Sequence, residues 1–306
     1  MPRGRKKKEI KQEEHADDTS SSKSLHKNKK VGLAMKTLQK KFGKGVIKMG
    51  SDSDLLIVKL PTSMKSFNDA TDGGFPVGMI TEVYGEESAG KGVLVSDLIK
   101  QTQAAGEVCA YIDAEHCLDS VWLKKLGVNV DEMIHSEVTD SDNVFDIAKS
   151  LIQSKGVKLL IVDSIAALTP KREVEEDMDK QNVGLAARIN NKGLRVTNTV
   201  NTRQGTAIVF INQMRSAVGV MYGDPNVTPG GRGMKFFAGL RLQVKRGEWY
   251  PDTKNRKGHE IICRVTKTKT GSSPFAEARF VLIYETGELK EWSELEKEEE
   301  EVIKVE

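Results

Sequence analysis

The stretch Gly85-Glu86-Glu87-Ser88-Ala89-Gly90-Lys91 constrains the fold more than any other part of this chain. It follows an apolar, β-branched run at 80–84 and opens a segment, starting Gly92-Val93, whose helical spacing reaches about residue 105. A glycine-rich turn between strand and helix aims backbone N–H groups at one point. The helix N-terminus adds the positive end of its dipole, and Lys91 adds a point charge. Together these make a cradle for phosphate oxygens. GxxxxGK alone arises by chance; the strand before it and the helix after it make the reading specific.

The flanking pattern extends this unit into a sheet. Apolar runs at 108–113, 159–163 and 206–212 read as strands, and amphipathic segments at about 141–154 and 184–200 read as the helices between them. Strands separated by helical stretches predict a mostly parallel sheet covered on both faces. After about residue 236 the pattern changes to short alternating runs at 240–245, 260–266 and 279–284, read as antiparallel strands added to one edge. Ahead of the core, Leu33, Met35, Leu38 and Phe42 form an apolar helical stripe closed by Gly43 and Gly45. That helix has two available partners, its own chain or a neighbouring copy.

Several residues carry candidate chemistry. Lys91 is normally followed by Ser or Thr, whose hydroxyl binds Mg²⁺; here the position is Gly92, which offers no ligand, and a water can take that place. Asp163 ends an apolar strand where a carboxylate can orient Mg²⁺ through water. Glu115, just past the strand at 108–113, reads either as a general base that polarises water or as a surface acid. The fourth strand runs into Asn212-Gln213, next to where a γ-phosphate would lie. Behind it, 214–234 is rich in glycine and carries Arg215, Tyr222, Gly230, Gly231 and Arg232. A long unperiodic segment of this composition reads as a single-strand contact loop or as a lid.

Composition bounds the remainder. A chain of 306 residues with 30% charged side chains accommodates one large domain and appendages. No apolar run reaches the roughly 18 residues of a membrane span, and the polar N-terminus lacks the apolar core of a secretory signal. Three scattered cysteines predict a reducing, cytoplasmic setting rather than a disulfide framework. Residues 1–30 hold ten Lys/Arg against five Asp/Glu, and 291–306 hold eight Glu against two Lys. The first reads as a DNA-seeking arm or a solvated tail. The second reads as a competitor of DNA for basic surface or as a solubilising tail.

With these residues in view, the chain resembles the RecA family of recombinases. Tyr111-Ile112-Asp113-Ala114-Glu115-His116-Cys117-Leu118-Asp119 is similar to the family's catalytic-glutamate signature, and 162–170 to its second nucleotide motif. Phe210-Ile211-Asn212-Gln213-Met214-Arg215 resembles the family's switch segment, and Phe42-Gly43-Lys44-Gly45 follows what resembles its polymerisation helix. The likeness runs from about residue 31 to 284. It implies a RecA-like α/β ATPase core at 61–288 and an oligomerisation segment at 31–60, while composition marks a basic tail at 1–30 and an acidic tail at 289–306.

The resemblance also implies roles. Glu115 activates water, Lys91 holds phosphates, Asp163 places Mg²⁺, Asp119 and Trp122 contact adenine, Tyr284 lines the cofactor site, and Gln213 senses the γ-phosphate. Loops at 173–184 and 214–232 contact DNA with Arg188, Arg195 and Arg215, while Lys267 and Lys269 reach the ATP of a neighbouring subunit. The implied cofactors are ATP and Mg²⁺. The implied partners are single-stranded and double-stranded DNA and further copies in a helical filament, at a nucleoid or a viral replication site and away from any membrane. Three features depart from the pattern: Gly92, the basic N-terminal extension, and only about twenty residues after Tyr284, where the bacterial form has a separate domain. The shortening predicts a bacteriophage-type member. Two other functions stay open, a nucleotide-gated scaffold on single strands with little or no hydrolysis and a ring helicase of the same fold.

Overall fold

A computed structural model describes residues 28–43, 47–48, 56–175, 184–202, 204–216, 226–227 and 232–295. The chain divides into two compact units, Met1–Leu56 and Ile57–Glu306. The first contains helix α1 (Lys29–Phe42), capped by the Asn28 side chain and ended by Gly43 at φ 97°. Its apolar stripe is exposed: Leu33 is 69% and Phe42 53% accessible, and no residue of α1 is buried. The expected tail at 1–30, apart from its last three residues, lies outside the described residues, as does the acidic tail beyond 295.

The second unit begins with β1 (Lys59–Leu60), α2 (Lys65–Ala70), β2 (Phe75–Pro76) and β3 (Ile80–Gly85). It continues through α3 (Lys91–Ala104), β4 (Cys109–Asp113), α4 (Ser120–Lys125), β5 (Met133–Ser136), α5 (Ser141–Ser154) and β6 (Leu159–Asp163). Then come α6 (Lys171–Glu175), α7 (Leu185–Asn201), β7 (Ala207–Gln213), β8 (Arg215–Ser216), β9 (Asn226–Val227) and α8 (Arg232–Phe237). The long strands β10 (Leu240–Tyr250) and β11 (Gly258–Thr268) precede β12 (Glu277–Ile283) and β13 (Leu289–Glu291).

Nine strands form one sheet in the order β13-β12-β11-β10-β3-β7-β6-β4-β5. From β10 to β5 every neighbour is parallel, while β10–β11, β11–β12 and β12–β13 are antiparallel. The expected mixed α/β sheet with antiparallel edge strands is present, with two corrections. The strand beginning at Leu240 belongs to both halves, because it pairs in parallel with β3 on one side and antiparallel with β11 on the other. The four-residue edge strand β5 was missed, since only Met133 of its side chains is buried and a half-exposed edge has no apolar run to read.

Side-chain alternation splits the core into two layers. Leu159 and Ile161 of β6 face α3 with Leu94 and Leu98; Leu160 and Val162 face α5 with Val144 and Ile152. Strands buried on both faces need apolar residues at every position, which is why β6 and β7 read as unbroken runs. Under the phosphate loop one charged network crosses three strands. Glu82, wholly buried, pairs with Arg241 and accepts 2.9 Å from Asn212 Nδ2, while Arg241 also lies 4.6 Å over the Tyr84 ring.

Candidate nucleotide and DNA site

The phosphate loop takes its shape from two close approaches. A Cβ on Gly85 would lie 2.0 Å from the Val244 carbonyl oxygen, so only glycine lets β10 pass beneath the loop. Gly90 is left-handed, at φ 97°, and packs on Ile261. The turn delivers Lys91 to the first residue of α3, where its Nζ donates to Gly85 O at 3.1 Å and Glu86 O at 2.6 Å. Burial holds the Lys91 ammonium below its usual pKa, against the pull of Asp163, Glu115 and Glu87. A cation in that setting gains by meeting anionic oxygens.

The parallel strands end beside this loop. Register pairs Gly85 with Gln213 and Asp113 with Asp163, so four strand ends share one edge. Glu115 accepts from Gln213 Nε2 at 3.0 Å and from the Ser164 hydroxyl. Asp113 receives the amides of Glu115 and Leu118 at 3.2 and 3.0 Å and so shapes the turn that carries Glu115. Asp163 accepts from the Tyr111 hydroxyl at 2.6 Å. Burial pushes the Asp163 carboxyl up to about 6, opposed by the Tyr111 hydrogen bond and reinforced by Glu115 and Asp113. Burial, with the charge of Asp163, keeps the Tyr111 phenol far above its usual pKa, so it remains a donor.

Lys91, Tyr111, Glu115, Asp163 and Gln213 line one cavity of about 760 Å³. Of the residues expected from sequence, it brings together Glu87, Ser88, Gly90, Lys91, Gly92, Val93, Glu115, Asp119, Trp122, Asp163, Gln213 and Tyr284. Gly85 and buried Ala89 support the loop from beneath, and Glu86 contributes the carbonyl that meets Lys91. Asp119 also caps α4 through the amide of Val121 at 2.8 Å. Trp122 supplies an aromatic face at the cavity wall.

Lys267 and Lys269 are not part of this wall. Lys267 Nζ donates to Lys235 O at 2.5 Å and Phe236 O at 3.2 Å, and Lys269 Nζ to Phe236 O at 3.5 Å, at the C-terminal end of α8. Arg188 and Arg195 are exposed, two turns apart on α7. Arg215 lies in β8 and Arg232 starts α8. Tyr222, Gly230 and Gly231 lie outside the described residues, as do 176–183 of the first expected loop.

Sequence reasoning missed a third wall of the cavity. Arg246, His259 and Ser96 line it, as do Tyr111 and Cys117. His259 Nδ1 meets the Tyr284 hydroxyl at 2.8 Å, and burial with the nearby charge of Arg246 lowers the imidazole pKa. Arg246 and Arg256 lie 4.9 and 4.6 Å from the Trp249 ring. Only the antiparallel pairing of β10 and β11 brings Arg246 and His259 to the loop, and no local motif announces them.

The donor set fits Mg²⁺ arriving with a nucleotide. Among the described residues no cluster of three or more His, Cys, Asp or Glu could hold a metal. A single carboxylate, Asp163, beside a phosphate cradle suits an ion that keeps most of its waters and takes phosphate oxygens. No helix among the described residues is long and apolar enough to cross a membrane.

Known proteins match this arrangement. The family model described as the RecA N-terminal domain covers residues 29–288. Protein RecA of Bacillus pumilus is 40% identical over 263 residues, spanning 85% of this chain and 76% of that protein. Protein RecA of Deinococcus radiodurans is 40% identical over 268 residues, 85% of this chain and 72% of that protein. Protein RecA of Aquifex pyrophilus is 41% identical over 263 residues, 85% of this chain and 75% of that protein. With a phosphate loop, an acidic strand end and an amide-tethered glutamate all on one sheet edge, this chain belongs to the RecA family of DNA recombinases.

Proposed function

We propose that this recombinase binds ATP with Mg²⁺ in the cavity at the end of β3, β4, β6 and β7, assembles as a filament on single-stranded DNA, and pairs that strand with homologous duplex. The observation that carries the reading is the hydrogen bond from Gln213 Nε2 to Glu115, 3.0 Å long, in the wall that also holds Lys91 and Asp163. It joins the water-activating carboxylate to the first residues of the 214–232 loop. A γ-phosphate that draws the Gln213 amide toward itself alters that tether and the loop behind it together. Nucleotide state and DNA affinity are then coupled, each changing the other by the same factor.

The chain's own groups divide the work. Lys91 exchanges the two carbonyls it now meets for phosphate oxygens. Glu115, positioned by Gln213 and Ser164, takes a proton from the attacking water. Asp163 would hold Mg²⁺ through water, and the bound ion neutralises charge on the phosphate oxygens. Trp122 and Tyr284 border the base, with Asp119 at its polar edge. Lys267 and Lys269, which end on the backbone of α8 in the single chain, reach the ATP of a neighbouring subunit and stabilise its developing charge in trans.

The DNA surface comprises Arg188 and Arg195 on α7 with Arg215, Tyr222, Gly230, Gly231 and Arg232 of the second loop. Phosphate contacts there carry affinity, and Watson–Crick pairing carries sequence. The exposed stripe of α1 serves as the polymerisation contact. Gly92 gives a second reading specific support: a filament scaffold gated by ATP with little turnover.

ATP hydrolysis measured with and without single-stranded DNA, beside Gly92→Thr, separates the two. The structure places nothing within 4 Å of a Cβ at Gly92, so the threonine has room. Stimulation by DNA in the parent chain supports the active recombinase. Turnover only in the threonine variant supports the scaffold. Silence from both removes Glu115 and the interface lysines from their roles.

A further inference from the structure

We propose that the Tyr111 hydroxyl positions Asp163 for the Mg²⁺–nucleotide complex, doing so in place of the hydroxyl that Gly92 does not provide. This rests on the ATP reading above. The phosphate loop leaves a gap: Gly92 is the second residue of α3, and a Cβ there would have no neighbour within 4 Å. Loops of this kind normally carry at that point a hydroxyl that holds Mg²⁺. Without it, one side of the metal place has no fixed polar group, and Asp163 is left as the protein's metal-facing group. Its orientation must then come from elsewhere.

The structure supplies it from the adjacent strand. β4 and β6 pair with Tyr111 opposite Ile161, so Asp163 lies two residues further along the same face. The Tyr111 hydroxyl reaches Oδ2 at 2.6 Å, within the 2.5–2.7 Å range of a charge-assisted O–H···O⁻ bond. No other side-chain donor among the described residues meets this carboxylate. Lys91 Nζ is engaged by the carbonyls of Gly85 and Glu86, and Gln213 and Ser164 both serve Glu115. Oδ2 is therefore fixed, and the carboxylate it belongs to lines the cavity.

The hydroxyl has no packing reason to be there. Tyr111 is 4% exposed and sits in the apolar layer with Leu94, Ile161 and Val209. A phenylalanine would fill that place without a polar group to satisfy, and burying a hydroxyl is unfavourable unless it is hydrogen-bonded. Its bond to Asp163 is what makes it tolerable, and that bond ties a core side chain to the metal-facing wall. Tyr111 is thus a positioning residue, acting on the ion only through Asp163.

The test uses the full chain, Tyr111→Phe, Gly92→Ser and the double variant. A fluorescent ADP is titrated first in EDTA and then against rising Mg²⁺. Tyr111→Phe should leave metal-free affinity within about twofold and raise the half-saturating Mg²⁺ by roughly tenfold or more, as expected for losing a hydrogen bond to a charged group. In the double variant the half-saturating Mg²⁺ should return to within a few-fold of the parent, because the serine hydroxyl now does the same task. An unchanged Mg²⁺ requirement in Tyr111→Phe overturns the proposal. So does an equal loss with and without metal, or a full penalty that persists beside Gly92→Ser. Should Tyr111→Phe not fold, Gly92→Ser alone decides: a shift of no more than about threefold in Mg²⁺ requirement is expected, and a tenfold gain shows Asp163 was not already positioned. A parent chain that binds no nucleotide under any condition instead defeats the ATP reading on which this one stands.

Discussion

Arg241→Met should be among the most damaging single changes available outside the cavity. The guanidinium is the only salt-bridge partner of Glu82 among the described residues, and the Glu82 side chain is wholly inaccessible. Asn212 Nδ2 satisfies one oxygen of Glu82 at 2.9 Å, but an amide does not offset a full charge. Removing one member of a buried pair leaves the other uncompensated, which costs about 3–5 kcal/mol. Loss of the cation over Tyr84 adds on the order of 1 kcal/mol. For a unit of this size each kcal/mol lowers the melting temperature by about 2–4 °C, so a fall of roughly 8–24 °C is expected. Calorimetry at low salt is the assay, and Glu82→Gln with Arg241→Met is the control. The double variant retains the acceptor for Asn212 and removes both charges, so it should regain more than half of the loss. Because Glu82 lies three residues before Gly85, nucleotide affinity should fall in the single variant and recover in the double. A single variant that melts within about 2 °C of the parent, or a double variant no better than the single, would refute the reasoning.

Three further outcomes are expected. Gly85→Ala should abolish nucleotide binding in an equilibrium assay, because its Cβ would fall 2.0 Å from Val244 O and force β3 from β10, whereas Gly92→Ala, with open space around it, should bind normally. Glu115→Gln should lower DNA-stimulated hydrolysis about 100-fold or more in a steady-state assay while nucleotide affinity changes only a few-fold, since the amide can still meet Gln213 but cannot take a proton. His259 is held below the ordinary imidazole value of 6.5, so the unfolded chain binds more protons across that window. Its contribution to stability is therefore present above pH 6.5 and lost as pH falls through the lowered value. Melting temperatures of the parent and His259→Gln should converge as pH falls below 6.5 if that sign is right.

The legible part of the molecule was the part built from contiguous sequence. Helix α5 and strand β6 appear at the predicted residues, because a helix facing one layer and a strand buried on both sides each print their period directly. The positions of the phosphate loop, Glu115, Asp163 and Gln213 could be read for the same reason: each sits at or just past a strand end, next to the run that announces it. Arg246 and His259 were not. They reach the cavity only through the antiparallel register that sets Arg246 opposite Ile261 and Tyr250 opposite Gly258, and register is a tertiary property. Tyr111 was hidden in another way, as one apolar-looking residue in a buried strand whose hydroxyl matters only once β6 lies beside it.

Sheet topology also underlies the role proposed for Tyr111. A parallel sheet sends every strand's C-terminal end to one edge, so loops after β3, β4, β6 and β7 meet without any of them being adjacent in sequence. Functions at such an edge can move between strands, because neighbouring ends lie about 4.8 Å apart and side chains span that gap. A hydroxyl lost from the start of α3 is thus within the remit of a residue on β4, two strands over from β7 and next to the carboxylate it must hold. What cannot move is backbone. Gly85 has Val244 beneath it and Gly90 has Ile261 against it, so these positions admit no side chain whatever the rest of the wall does. The same logic sets an order of tolerance along the loop: open space at Gly92 accepts substitution, and filled space at Gly85 and Gly90 refuses it. The departure at position 92 therefore falls at the one loop glycine where geometry leaves the choice of side chain free, and where a neighbouring strand can supply what is missing.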